Sequence, residues 1–167
     1  MSKGGFLTNT PLQTKLQLTF DNKLKQLSVP LQEIIVQKDK LKVSAEFNFS
    51  EDNRKYAVDI SASAMPFQNA RLLLSKHIAT KLDSITVTQP LNVEASIRGR
   101  MRYPDTPVVN VSFAGKNTSL QIANIEFDKA TFSARYSNEL EKIANHSDQN
   151  SVVFIDQFSK IGKGVDG

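Results

Sequence analysis

Hydrophobic and polar residues alternate along most of this chain. Leu12, Thr14, Leu16, Leu18 and Phe20 fall on one side, with Gln13, Lys15, Gln17 and Thr19 on the other. Alternate residues of a strand share a face, so this pattern predicts a half-buried strand. Asp21-Asn22-Lys23 reads as a turn, and Leu24 to Val29 as the returning strand, which Pro30 interrupts. Glu33 to Gln37 is a short apolar piece ending in Lys38-Asp39-Lys40. The cleanest strand follows, with Leu41, Val43, Ala45, Phe47 and Phe49 opposed to Lys42, Ser44, Glu46 and Asn48. After a hairpin loop over Ser50 to Lys55, Tyr56, Val58, Ile60, Ala62 and Ala64 continue the alternation.

The period then changes. Phe67, Ala70, Leu74, Ile78 and Leu82, with Leu73 beside them, lie at helical spacing behind Pro66. This predicts one amphipathic helix near residues 66–83. Alternation resumes at Ile85 and Val87, pauses at Pro90, and runs through Leu91, Val93, Ala95, Ile97, Gly99 and Met101. Pro104 to Pro107 is a turn, and Val109, Val111 and Phe113 follow. Gly115-Lys116-Asn117 reads as another turn, and a skip of phase near Ala123-Asn124 as a bulge. Phe132, Ala134 and Tyr136 make a further strand and Val152 to Phe158 a last one, separated by a polar loop over 138–150 that has at most one helical turn, at 139–144.

The expected fold is mainly β: one long antiparallel curved sheet of about eight or nine strands, with a single helix. No linker divides the chain, so residues 1–167 read as one domain, frayed at 1–8 and 159–167. A helix of about 16 residues is about 24 Å long. It covers only part of such a sheet. The rest of the apolar face must close into a barrel, pack on another sheet, or stay open as a groove for a ligand or partner.

Composition changes this picture little. The 167 residues include 21 Lys+Arg and 17 Asp+Glu, a net charge of +4, and no cysteine. A disulfide scaffold and a wholly disordered chain are excluded. Lysines are spread along the strands rather than gathered with aromatics, so no nucleic-acid partner is expected. No apolar run reaches the length of a spanning helix, and Met1 opens no signal peptide. The chain therefore reads as cytoplasmic, or as an excised piece of a longer protein.

Catalytic chemistry is not visible. The two histidines, His77 and His146, lie far apart in sequence without metal-ligand spacing, and no metal or other cofactor is expected. The pairs Glu33 with Asp39 and Glu139 with Glu141 make no credible acid–base site, and no serine sits in a nucleophile elbow. A non-enzymatic protein is the expectation. Asn-x-Ser/Thr occurs at Asn48, Asn110, Asn117 and Asn145, a chance set in an Asn- and Ser-rich chain. One charge feature stands out: Arg98, Arg100 and Arg102 alternate with Ile97, Gly99 and Met101. Either carboxylates on neighbouring strands pair them, or they form a stripe for an anionic head group or acidic partner.

Several segments between Phe67 and Glu139 carry a likeness to a known family. They are Phe67-Gln-Asn-Ala70, Leu72 to Ser75 leading to Ile78 to Leu82, and Gln89-Pro90-Leu91-Asn92-Val93. Then come Ile97-Arg98-Gly99, Pro107 to Val111, Lys116 to Leu120, and Ala130 to Glu139. This resembles the middle repeats of AsmA-like bacterial envelope proteins, in about half the chain. The resemblance implies repeating β-groove units with an apolar inner face, anchored by an N-terminal membrane helix and projecting into the periplasm. It implies a role in outer-membrane biogenesis and phospholipid movement, and it offers no catalytic residues. The chain carries no such anchor, which fits a soluble segment of a longer protein.

On that reading, acyl chains are expected on Leu41, Val43, Phe47, Phe49, Val58, Ile60, Val93, Ile97, Val111 and Phe113. A plain closed core is the other reading of the same residues. Two further functions remain open: an interaction module for other envelope proteins, and a closed β-barrel carrier of one small apolar ligand.

Overall fold

A computed structural model of the chain describes residues 12–13, 15–36, 38–74, 76–141, 146 and 150–160. The strands are β1 (Leu12–Gln13), β2 (Thr19–Asp21), β3 (Gln26–Val36), β4 (Asp39–Asn48) and β5 (Lys55–Met65), then β6 (Ile85–Val87), β7 (Leu91–Arg100), β8 (Val108–Ile122), β9 (Ile125–Ser137) and β10 (Val152–Lys160). All ten belong to one antiparallel sheet, in the order β1-β3-β4-β5-β7-β8-β9-β10. β2 shares the β1 edge of β3, and β6 shares the β7 edge of β8. The fold is mainly β, as the alternation predicts. β1 and β10 end the path and no pairing joins them among the described residues, so the sheet is open. The closed barrel required by the small-ligand carrier is absent from it.

Several local expectations are corrected. The helix predicted over 66–83 is two short ones, α1 (Phe67–Ala70) and α2 (Lys76–Lys81), joined by a 3-10 turn over Arg71–Leu73. Leu74 between them is extended, with φ −91° and ψ 165°. Pro66 supplies no side-chain cap, and helices this short depend on packing rather than propensity. The break turns Leu74 into the core beside Ala70 and Ile78 while Leu72 stays exposed.

Pro30 does not end its strand. β3 runs through it, with a register shift between Val29 and Gln32 against β4. The shift leaves Pro30, which has no N–H to offer, off the ladder. The strand expected over Leu12–Phe20 is interrupted: residues 15–18 have no ladder pairing among the described residues, and the Gln32 side chain holds Gln17 instead. Gln17 N donates to Gln32 Oε1 at 2.9 Å, and Gln32 Nε2 donates to Gln17 O at 3.1 Å.

The expected turn at Gly115–Asn117 and bulge at Ala123–Asn124 exchange places. β8 continues through residues 115–117 with shifted register, and Asn117 takes φ 49°. Ala123-Asn124 is the tight hairpin between β8 and β9, closed by the Ile122–Ile125 pair, with Ala123 at φ 52°. Ser159 and Lys160, expected to fray, pair with Thr131 and Ala130. Residues 1–8 and 161–167 lie outside the described residues, as do 142–145 and 147–149 of the loop; residues 139–141, the first half of the expected helical turn, are not helical. The loop's ends are buried: Asn138 Oδ1 accepts from Val109 N at 2.7 Å, and Asn150 Oδ1 accepts from Glu141 N at 2.8 Å.

The core lies on one face of the sheet, at the end where β5 leaves and β7 returns. Met65, Leu91, Val93, Val111 and Phe113 meet Ala70, Leu74 and Ile78 there. The linker between β6 and β7 is sewn to β8 by hydroxyls. Thr118 Oγ1 accepts from Gln89 N at 3.0 Å, and Thr88 Oγ1 accepts from Ser119 N at 3.1 Å.

Candidate functional site

Directly paired residues of an antiparallel ladder share a face. The register therefore sorts the sheet into rows. Leu27, Phe47, Tyr56 and Gly99 form one row across β3, β4, β5 and β7. Val29, Ala45, Val58, Ile97 and Val109 form the next. A third runs through Val43, Ile60, Ala95, Val111 and Tyr136. All three lie on the apolar face.

The ten residues expected to touch acyl chains divide by depth along this face. Leu41 at 7%, Val93 at 2%, Val111 at 1% and Phe113 at 8% exposure are core. Val43, Ile60 and Ile97 are half-buried and pack against that core. Phe47 and Val58 are half-buried, and Phe49, just past the end of β4, is 41% exposed. Among the described residues, Leu27, Phe47, Tyr56 and Val58 fall outside the cluster that contains the helical residues.

The face thus has a covered end and an uncovered end. At the uncovered end the Phe47 ring stacks at 6.4 Å centroid distance on Phe49 and at 6.4 Å on Tyr56. Val58 lies beside them and pairs directly with Ile97, which marks the border with the core. Tyr56 lies over Gly99, where an added Cβ would meet its ring at 2.9 Å. Burial raises the Tyr56 phenol above its usual pKa. Sequence reasoning placed Tyr56 on a strand but missed it, Leu27 and Gly99 as parts of this end. Their meeting depends on register across four strands, which alternation alone does not fix.

The opposite face is polar. Arg98, Arg100 and Arg102 do not form one stripe on it. Arg98 Nη2 donates to both Asp59 oxygens, at 2.5 and 2.8 Å, and its Nη1 donates to Val58 O at 2.9 Å. This is the carboxylate pairing weighed for the row. Arg100 ends β7 directly opposite Lys55, and Arg102 lies beyond the strand in the connection to β8. At that end a cavity of about 720 Å³ is lined by Asn48, Lys55, Arg98, Arg100, Asp105 and His146, among others. His146 N donates to Thr106 Oγ1 at 3.2 Å, and its buried Nδ1 has no partner among the described residues. The side chain of His77 lies outside the described residues. A smaller cavity, about 270 Å³, lies farther along between Lys42, Glu94 and Asn110.

Two further features bear on function. β10 is an edge strand with Val153, Phe154, Ile155 and Phe158 exposed, Ile155 to 70%. No described helix is long and apolar enough to cross a membrane, and among the described residues no group of three or more His, Cys, Asp or Glu is placed to hold a metal. Comparison of the chain with protein-family models, with curated proteins and with solved structures found no match to any of them.

Proposed function

We propose that this chain binds or guides lipid acyl chains on the uncovered end of its apolar sheet face, without catalysing a reaction. One observation carries the reading. The sheet is open, its helices pack at one end of the apolar face, and the other end keeps Phe47, Phe49, Tyr56 and Val58 outside the helix-covered core. Apolar area of this kind gains about 25 cal/mol per Å² when it is covered. Acyl chains are flexible enough to fill a surface made of aromatic rings and branched side chains. The AsmA-like resemblance supplies the proposed setting: the periplasm, within a longer membrane-anchored protein that serves outer-membrane biogenesis, with phospholipid as the cargo.

Native mass spectrometry of protein expressed in bacteria tests it. Co-purified lipid is expected, and Val58→Asp, at a half-buried position, should remove it while the protein stays folded. Protein that is lipid-free and takes up none on incubation with vesicles contradicts the reading. A second reading has its own support, in the exposed apolar edge of β10. Such an edge offers unpaired backbone groups to a strand of another protein. Under that interaction-module reading the same experiment shows protein-bound partners and no lipid.

A further inference from the structure

The chemistry of the lipid is constrained by the rim of the uncovered end. Lys55 is the first residue of β5 and Arg100 the last of β7, and the two are directly opposite in register. Like charges placed opposite each other on neighbouring strands destabilise the pair unless an anion intervenes. Among the described residues none is in contact with either cation. The ion pairs among the described residues are Lys40–Glu33, Arg71–Asp83, Arg98–Asp59 and Arg135–Asp156. Lys55's other register partner is the uncharged Asn48. Glu46 and Asp105 border the same cavity of about 720 Å³ without ion-pairing with either cation. Arg98, the third cation there, is already held by Asp59.

The position matters as much as the charge. Tyr56 follows Lys55 and Gly99 precedes Arg100, and neighbours along a strand point to opposite faces about 3.3 Å apart. The two cations therefore sit on the outside of the same strand ends whose inside carries the uncovered apolar row. A ligand with its tail against Phe47 and Tyr56 would have its head at this rim.

We infer that Lys55 and Arg100 together bind the anionic head group of the amphiphile whose tail occupies the uncovered apolar end. The inference rests on the acyl-chain reading proposed above and deepens it. An oxyanion between the two side chains accepts charge-assisted hydrogen bonds from both and removes their repulsion. Arg100 offers a planar fork, and Lys55 a mobile point charge.

Three amphiphiles with one tail and different heads test it: decyl phosphate, decanoate and decyl maltoside, titrated into the protein and followed by nuclear magnetic resonance below their micelle concentrations. Both anions should bind more tightly than the maltoside, and the order of phosphate and carboxylate identifies the head. Lys55→Gln with Arg100→Gln should weaken the anions about tenfold and leave the maltoside unchanged. Arg100→Lys should restore most of the loss. Because the substitutions remove a repulsion at exposed strand ends, thermal stability should not fall. Equal binding of all three amphiphiles, unaltered by the double substitution, overturns the rim inference and leaves the acyl-chain reading standing. Binding of none of them overturns both.

Discussion

The Tyr56 ring lies across Gly99, its directly paired neighbour on β7: a Cβ at residue 99 would come within 2.9 Å of Tyr56 Cζ. The same device recurs toward the covered end, where Phe132 lies over its paired residue Gly115. An aromatic ring over a glycine fills the space that the missing side chain leaves on the sheet. The surroundings differ. Beyond Gly99 only the far end of one flexible side chain is in the way. At Gly115 an added Cβ meets Phe132 Cε1 at 2.8 Å and Leu91 Cδ2 at 3.0 Å, and Leu91 is fully buried.

Substituting alanine should therefore separate the two ends. Gly115→Ala overpacks the core and should cost about 1–3 kcal/mol in urea unfolding. Gly99→Ala should be within about 1 kcal/mol of the parent, because alanine's strand entropy offsets a swing of the Tyr56 ring. It should nevertheless reduce acyl-chain uptake by displacing that ring. Equal losses of stability at the two sites would mean that the Gly99 end is packed core rather than a yielding surface.

Gln32 stands in for a missing piece of β-ladder. Its amide both accepts from and donates to the backbone of Gln17, in the stretch between β1 and β2. Gln32→Leu leaves the chain fold intact and removes both bonds. Hydrogen exchange at the Gln17 amide should accelerate, with a local cost of about 0.5–1.5 kcal/mol per bond at most. Unchanged exchange at that amide would show that residues 15–18 are held by something else.

Acid should loosen β10 selectively. Arg135 Nε donates to Asp156 Oδ2 at 2.8 Å and Nη2 to Oδ1 at 2.7 Å. Asp156 is the residue skipped by the register shift between Ile155 and Gln157. The hydrogen bonds from Arg135 hold the Asp156 carboxyl below the ordinary value of 3.8; desolvation opposes them, and the Arg135 charge adds a lesser lowering. The folded pKa is thus lower than the unfolded one. The pair's contribution is present above 3.8 and is lost as pH falls from there through the folded value. Carboxyl titration by nuclear magnetic resonance should place Asp156 below 3.8, and Arg135→Gln should return it toward that value. An unshifted Asp156 in the parent protein would contradict the pairing.

Most of the fold was legible because a solvated sheet face writes itself as alternation. Leu41 to Phe47 and Leu91 to Ile97 are examples, and each lands on its predicted strand. What was not legible depends on partners distant in sequence. Gly115-Lys116-Asn117 has the composition of a turn, yet Asn117 spends its positive φ on a bulge within β8 while Ala123 makes the hairpin. Pro30 looks like a strand end until a register shift absorbs it. The helix pattern over 66–83 correctly marked Ala70, Leu74 and Ile78 as buried, but gave no sign that Leu74 would be extended. Depth along the apolar face was equally hidden: Val58 and Val93 look alike in sequence, and only the position of the helices puts one at the open end and the other in the core. The fate of Arg98 required knowing that Asp59 lies on the adjacent strand.

The location of a bound tail is the central claim, and paramagnetic relaxation enhancement from a doxyl-labelled lipid reads it directly. Methyl groups of Leu27 and Val58, on the uncovered end, should broaden strongly. Those of Ala57 and Val108, one register step away on the polar face, should broaden much less. Broadening that is equal on the two faces, or confined to the exposed β10 edge at Val153 and Ile155, would contradict the account.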